Sequence, residues 1–213
     1  MLFYRAANEM SIRETFNELD SFAASTTLST YSHLTAQGDS IKLIKNWRIV
    51  LNQVSESILT LQSVKNAEIF QESSDFAERA SIWESRLDKL DKILALLNSV
   101  QRKWIFLEPI YSKDDTGMLN DYSFAPASND YIDIMKSIST DPHVIRLIHI
   151  NGLENRLNNI DQTLIACQKK LQQFMEESRA RFPRFYFLAD DDLLLILAGK
   201  AQVNQAGLLK KLF

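Results

Sequence analysis

The sequence has 213 residues, of which 46% are hydrophobic and 24% charged, with a formal net charge of −3. This composition is typical of a globular protein and excludes disorder of the whole chain. The acidic balance argues against nonspecific nucleic-acid binding, which depends on a basic surface. With only 5 glycines and 4 prolines, the chain lacks the turn residues of an all-β or doubly wound fold. The predicted fold class is mostly α.

The cellular compartment is indicated by the single cysteine and by the N-terminus. Cys167 cannot form an internal disulfide, which favours a reducing compartment. The sequence contains no run of about 18 apolar residues, so it predicts no membrane span. The first residues do not have the layout of a signal peptide. We therefore predict a cytosolic protein.

The N-terminal half predicts three helices and a hairpin, because its apolar residues recur mainly at steps of three and four. Strand-prone threonines and the turn Gln37-Gly38-Asp39 predict a short β-hairpin near residues 26–40. Pro109 is expected to end the longest helix, because proline lacks the amide proton and disfavours a helical residue before it. The predicted helices are 8–24, 41–64 and 74–107, and an irregular loop is expected over 110–128.

The C-terminal half predicts further helices, again from spacing of three and four. Asp141-Pro142 is expected to start a helix that Gly152 interrupts. Cys167 falls on the apolar seam of the longest of these helices, where it is predicted to be a buried small hydrophobe. The run Phe185–Leu188 is expected to be extended, with Phe185 and Phe187 on one face and Tyr186 on the other. The predicted helices are 129–139, 153–181, 193–199 (capped by Asp190 or Asp191) and one from 203 onward.

Together these elements predict an elongated antiparallel helical bundle. We assign residues 1–108 to an N-terminal helical subdomain, 109–128 to the irregular loop and 129–213 to a second helical subdomain. The apolar side of the last predicted helix extends to Phe213, so we expect the chain to be part of a longer protein.

Tests for a phosphate-binding loop and a calcium site both fail. At Gly199-Lys200, Leu194 and Ala201 occupy the positions that require a glycine and a hydroxyl. The acidic run 190–192 lacks the distal glutamate of a calcium loop and is better explained as acids at a helix N-terminus.

Catalytic and zinc motifs are also missing from the sequence. His33, His143 and His149 do not have the spacing of zinc ligands, and no Gly-x-Ser-x-Gly nucleophile motif occurs. We expect no catalytic, cofactor-binding or metal-ligating residue in this chain.

Two stretches mix aromatic and basic residues. Arg102-Lys103-Trp104 lies in one, and the rings after Arg181 lie in the other. Such mixtures can bind single-stranded nucleic acid, but cation–π contacts and packing within a helical fold explain them equally well. The net acidic charge favours packing, which leaves Trp104 either in the core or exposed at an interface, two cases that the stability cost of Trp104→Ala would separate.

The same two stretches resemble signatures of the dynein heavy chains. The first signature segment, Gln101–Tyr111, is similar to the family's Gln-x-x-Trp-x-Tyr-Leu-Glu-x-Ile-Phe pattern. The second signature segment, Phe182–Leu188, is similar to Phe-Pro-Arg-Phe-Tyr-Phe-Leu, and Gln168-Lys169-Lys170-Leu171 also matches in order. These signatures belong to the linker that precedes the AAA+ ring. The matching positions, which the resemblance makes structural, are Gln101, Trp104, Leu107, Glu108, Phe182, Pro183, Arg184, Phe185, Tyr186 and Phe187.

Upstream segments are most similar to the dynein-2 class of heavy chains, which serves intraflagellar transport. They are 41–47, 61–65 and 82–84. The chain departs from the family pattern at three places, with Asn120 where proline is usual, Tyr131 for tryptophan, and Ala189-Asp190 for Ser-Asn. Asp190 retains the capping capacity.

The resemblance implies a non-catalytic lever that couples ATP-driven changes of an AAA+ ring to minus-end-directed movement on microtubules. It implies no cofactor here, with ATP and magnesium held by the parent's ring. The implied partners are that ring and, through the parent, the dynein intermediate and light intermediate chains and the microtubule, with no nucleic acid and no membrane. The implied location is the cytoplasm and cytoskeleton, including the cilium.

Two alternatives rest on the residues alone. The seams that contain Trp47 and Trp83 also fit a free-standing helical adaptor or spectrin-like scaffold, although the two halves do not align as repeats. An enzyme with an unrecognised site would require a polar pocket with carboxylates of raised pKa.

Overall fold

The computed structural model describes residues 2–65, 74–112 and 123–197, and it is mostly helical, as predicted. Within these ranges, no helix combines the length and the apolar character needed to cross a bilayer. The helices are α1 (Leu2–Ser25), α2 (Trp47–Lys65), α3 (Ser74–Tyr111), α4 (Phe124–Thr140), α5 (Leu153–Arg181) and α6 (Asp190–Leu197). The strands are β1 (Thr30–Leu34) and β2 (Ser40–Ile44), and the 3-10 helices are Val144–His149 and Pro183–Phe187.

Helices α3 and α5 form the centre of the larger hydrophobic core. The α5 seam is buried from Leu153 to Leu171, and Cys167 lies within it, as the spacing predicted. Hydrogen bonds also join the two helices, because the Asp161 carboxylate of α5 accepts from Ser99 Oγ at 3.1 Å and from Lys103 Nζ at 2.7 Å, both on α3. The core draws residues from both predicted helical subdomains; the division into 1–108, 109–128 and 129–213 stays a prediction.

A second, smaller core joins α1 to α2 and α3. Ile12, Phe16 and Leu19 of α1 are buried there against Trp83 and Leu87 of α3. Helix α1 therefore has the amphipathic face that its sequence predicts, although it begins at residue 2 rather than 8.

The hairpin is real but lies further along the chain than predicted. Its strands pair antiparallel from Thr30↔Ile44 to Leu34↔Ser40, and Gly38 adopts a φ of 94° in the predicted turn. Strand β2 occupies residues that we expected to begin a helix. The spacing of Ile44 and Trp47 fits a helix as well as a strand followed by a helix, which explains the error. Asn46, with a φ of 58°, turns the chain into α2.

The prediction that Pro109 ends α3 is wrong. Helix α3 continues to Tyr111, because a proline in the last turn removes only one backbone hydrogen bond, while Leu107 and Glu108 are anchored in the core. The predicted irregular loop is also shorter at both ends, since Ile110 is helical and α4 begins at Phe124. Residues 113–122 lie outside the described part of the chain.

Asp141-Pro142 does not start an α-helix. Instead the backbone of 142–144 pairs with 26–28, through Leu28 N–H to Pro142 C=O at 2.7 Å and Val144 N–H to Thr26 C=O at 3.0 Å. A 3-10 helix follows, and Gly152, with a φ of 68°, separates it from α5. The helix predicted from residue 203 lies outside the described residues, as does the end of the one predicted over 193–199.

Candidate functional site

The first signature segment forms the last three turns of α3. Gln101, Trp104 and Glu108 follow one another at steps of three and four, and Leu107 lies three residues after Trp104. These spacings place all four on one broad face of the helix. All four are buried, which places Trp104 in the core rather than at an exposed interface. The amide and the carboxylate therefore require hydrogen-bond partners inside the protein.

Gln101 binds the backbone of β2. Its Nε2 donates to the Ile44 carbonyl at 2.7 Å, and its Oε1 accepts from the Ile44 N–H at 3.1 Å and from the Tyr131 hydroxyl at 3.3 Å. A side-chain amide carries the same donor and acceptor as a peptide group, so Gln101 takes the place of a neighbouring strand at this residue.

Trp104 connects α3 to α4 and to the hairpin. Its indole Nε1 donates to Ser128 Oγ at 2.9 Å, and its ring centroid lies 5.1 Å from that of Tyr131 and 6.1 Å from that of His33. Burial raises the pKa of Tyr131 far above its ordinary value, so the hydroxyl stays protonated and remains a donor. Tyr131, which replaces the tryptophan usual in the family, thus adds a hydrogen bond to the cluster.

Glu108 holds the turn of the hairpin. Its Oε1 accepts from the Ala36 N–H at 2.8 Å, although the side chain is only 3% exposed. Hydrogen bonds to charged groups are worth about 1.5–3 kcal/mol each. The first signature segment therefore fixes the hairpin, α3 and α4 relative to one another.

The second signature segment is not extended, as we had predicted, but forms a 3-10 helix. Phe185 N–H donates to the Phe182 carbonyl at 2.8 Å, and Leu188 N–H donates to the Phe185 carbonyl at 3.1 Å. The predicted alternation of faces is wrong as well, because Phe187 is 76% exposed while Phe185 packs partly against the core. A strand requires a partner strand for its backbone, and a short helical turn satisfies these groups locally.

Most of the second segment faces solvent. Phe182 and Tyr186 are exposed with Phe187, and Pro183 and Arg184 are exposed beside them. A cluster of exposed aromatic rings of this kind marks a contact surface more often than a folding element.

Arg179 anchors this segment, a role that no feature of the sequence indicated. Its side chain is 12% exposed, and Nη2 lies 2.5 Å from Asp190 Oδ1 and 3.4 Å from the Leu188 carbonyl. Asp190, which we expected to cap a helix from 193, is itself the first residue of α6. The arginine in the last turn of α5 thus ties α6 back to α5.

The histidines lie apart from one another. His33 faces Trp104, and His143 Nδ1 lies 2.6 Å from Asp141 Oδ1. That side-chain hydrogen bond, a second one from the His143 backbone and the nearby Arg146 lower the pKa of Asp141. In the ranges that the structure describes, no group of three or more His, Cys, Asp or Glu side chains is placed to hold a metal ion.

The fold and the first signature segment define a helical structural module. The buried polar side chains of that segment form hydrogen bonds with the module's own backbone rather than a binding pocket. A family model described as dynein heavy chain, N-terminal region 2, matches residues 2–213, and the chain therefore belongs to the dynein heavy chain family.

The relatives point to one class within this family. The chain is 40% identical over 98% of its length to cytoplasmic dynein 2 heavy chain 1 of Caenorhabditis elegans and of Mus musculus, and 39% identical over 98% to that of Homo sapiens. It spans about 5% of the length of each of these relatives.

Proposed function

We propose that this chain is part of the linker of a dynein-2-type heavy chain, a lever that couples ATP-driven changes of an AAA+ ring to minus-end-directed movement on microtubules in cilia. The observation that carries the proposal is the buried cluster around Gln101, Trp104 and Glu108, at signature positions of a family whose members are motor proteins.

A lever must keep its shape under load. Gln101 and Glu108 bind backbone groups of the hairpin, and Lys103 and Ser99 bind Asp161 across the α3–α5 contact. Buried and partly buried hydrogen bonds of this kind resist sliding between elements, because each one that breaks leaves a shielded polar group without a partner. These links support a rigid body rather than a flexible tether.

A lever must also pass force to its neighbours. The exposed rings of Phe182, Tyr186 and Phe187 lie at the end of the long helix α5, and Arg179 holds their segment in place. We assign these rings to contact with the parts of the heavy chain that follow in the parent.

The partners and cofactors of the whole motor belong to the same proposal. ATP and magnesium are held by the ring, which is the direct partner of this segment. The intermediate and light intermediate chains and the microtubule are reached through the parent. The cytoplasmic and ciliary location rests on the dynein 2 names of the relatives.

The test compares ATP hydrolysis with microtubule gliding in the full-length heavy chain that contains this segment. We expect Gln101→Ala to lower gliding velocity more than microtubule-stimulated ATPase activity, because a less rigid lever transmits less movement for each ATP that is hydrolysed. Gln162→Ala, at an exposed position of α5, is the matched control and leaves both rates unchanged. Equal loss of both rates, or loss of neither, contradicts the proposal.

The alternative of a free-standing adaptor or an enzyme is tested on the purified chain itself. As a linker segment it hydrolyses no ATP and binds no microtubules. Appreciable ATPase activity in the clean chain would refute the linker assignment.

A further inference from the structure

The two-stranded sheet has two outer edges, which the register identifies. Lys45 N–H donates to the Ser29 carbonyl at 2.8 Å, and hydrogen-bonded pairs alternate along an antiparallel ladder. The odd-numbered residues of β1 therefore bond to β2. The N–H and C=O groups of Thr30, Ser32 and Leu34 point the other way, along the outer edge of β1.

The outer edge of β2 is closed at Ile44. Gln101 accepts from its N–H and donates to its carbonyl, at 3.1 and 2.7 Å. The fold thus uses a buried side-chain amide to occupy the place of a third strand on this side.

Among the described residues, the backbone on the outer side of β1 is paired only just before the strand begins. There the segment before β1 forms an antiparallel bridge with 142–144, from Leu28 N–H to the Pro142 carbonyl and from Val144 N–H to the Thr26 carbonyl. The bridge stops because residue 141 leads back into α4. Beyond it, no hydrogen bond from any described residue reaches the outward backbone groups of Ser32 and Leu34.

This edge lacks the devices that keep exposed strands from pairing. Strand β1 contains no charged residue and no proline, pairs with β2 without a bulge, and exposes Leu34 (71%) and Tyr31 (40%). It is also held rigidly, because His33 packs on Trp104 and Ala36 is bound by Glu108. A preformed edge loses little entropy when a strand is added.

The charge near the edge selects the partner. Lys42, the only formally charged residue in the two strands, lies directly across from Ser32 and is exposed. A strand added beyond β1 lies two strand spacings, or roughly 10 Å, from Lys42, and the long lysine side chain can extend across Ser32 to an acidic side chain on that strand. We propose that the outer edge of β1 is a docking site for an extended acidic segment of a partner polypeptide, which adds as a further strand through the backbone of Ser32 and Leu34.

The experiment measures amide hydrogen exchange by NMR on the 213-residue chain with a capped peptide, Thr-Val-Glu-Val-Glu-Val-Thr. At saturating peptide we expect exchange at Ser32 and Leu34 to slow by at least about tenfold, since both amides gain a hydrogen bond. Tyr31 and His33, already bonded to β2, change by less than about twofold. This alternation distinguishes strand addition from nonspecific contact.

Three variants and one control define the edge. Ser32→Pro removes an outward donor without removing a bond to β2, and it abolishes binding. Ser40→Pro, the matched control on the opposite edge, retains it. Lys42→Glu weakens binding of the acidic peptide and favours a peptide with lysine in place of glutamate. Leu34→Glu, at an exposed position, leaves the backbone donors in place and weakens binding of the acidic peptide, because it sets a like charge beside the added strand.

Three results would overturn the proposal. The first is uniform or absent protection at millimolar peptide. The second is binding that survives both Ser32→Pro and Leu34→Glu. The third is protection of Ser32 and Leu34 that rises with protein concentration without peptide, because it would assign the edge to a second copy of the chain.

Discussion

The two signature segments contain similar residues and have opposite environments. In the first, Gln101, Trp104 and Glu108 are buried and bonded to the hairpin and α4. In the second, Tyr186 and Phe187 face solvent on a 3-10 helix. Similar mixtures of rings and polar groups therefore form buried contacts between elements in the first segment and an exposed surface in the second.

The difference follows from the backbone on which each segment lies. A long α-helix places residues at steps of three and four on one face, where a core can cover them. The second segment begins at Phe182, directly after α5 ends at Arg181, and its short 3-10 helix distributes the rings around its axis. Only Phe185 and the buried Leu188 then reach the core.

Truncation of one ring in each segment tests this comparison most strongly. Trp104→Ala should lower the free energy of unfolding by about 3–5 kcal/mol, because it leaves a cavity in the core. Phe187→Ala, the matched change in the second segment, should alter it by less than about 0.5 kcal/mol. Urea denaturation measures both. Equal costs for the two changes would show that the contrast in burial is wrong.

The amide of the first segment gives the next largest effect. Gln101→Ala should cost about 2–3 kcal/mol, because it leaves both backbone groups of Ile44 without partners in a buried site. Urea denaturation measures the total loss of unfolding free energy, and faster amide exchange at Ile44 would show that the loss arises at this residue. Gln162→Ala, on the exposed side of α5, serves as the control with little change. If Gln101→Ala is as mild as this control, Gln101 does not close the edge of β2.

The anchor of the second segment should matter less for global stability. Arg179→Ala is expected to cost about 0.5–1 kcal/mol, because its partner Asp190 is largely exposed and water replaces the lost contact. Amide exchange should speed up in α6 but not in the middle of α5. Arg181→Ala, two residues away and exposed, is the comparison variant. A uniform rise in exchange along α5 would contradict a local anchoring role.

The smallest effect concerns acid sensitivity beside the hairpin. The pKa of Asp141 is lowered chiefly by its hydrogen bond with His143, so its stabilising contribution is present at neutral pH and is lost as the pH falls through the folded-state value. Asp141→Asn should therefore lower stability at pH 7, and the gap to the unmodified chain should narrow below about pH 4.

Unfolding curves across this range, with Asp133→Asn as an exposed control, measure the acid-dependent part. A gap that stays constant with pH would mean that the carboxylate charge at position 141 does not contribute.

Much of the fold could be predicted from spacing, and the failures arose where local rules met tertiary contacts. The seams of α3 and α5 were predicted because buried helices repeat their apolar residues every three or four positions. Pro109 and Pro142 were assigned wrongly, because local rules for proline ignore what the neighbouring elements bind. The run 185–188 was assigned wrongly because alternation cannot show whether a partner strand is present. For the candidate site, the residues were found by their motif, but their partners Ile44, Ala36 and Ser128 lie far away in the chain.

By itself, the sequence determined the helical class, the burial of Cys167 and the signatures of a dynein heavy chain. Periodicity and motif are local properties, so they can be read without coordinates. Only the tertiary structure decided that Gln101 closes one edge of the hairpin while the edge of β1 at Ser32 stays open. That choice depends on which distant backbone groups meet, and hydrogen-bond partners across such separations are set by packing rather than by neighbours in sequence.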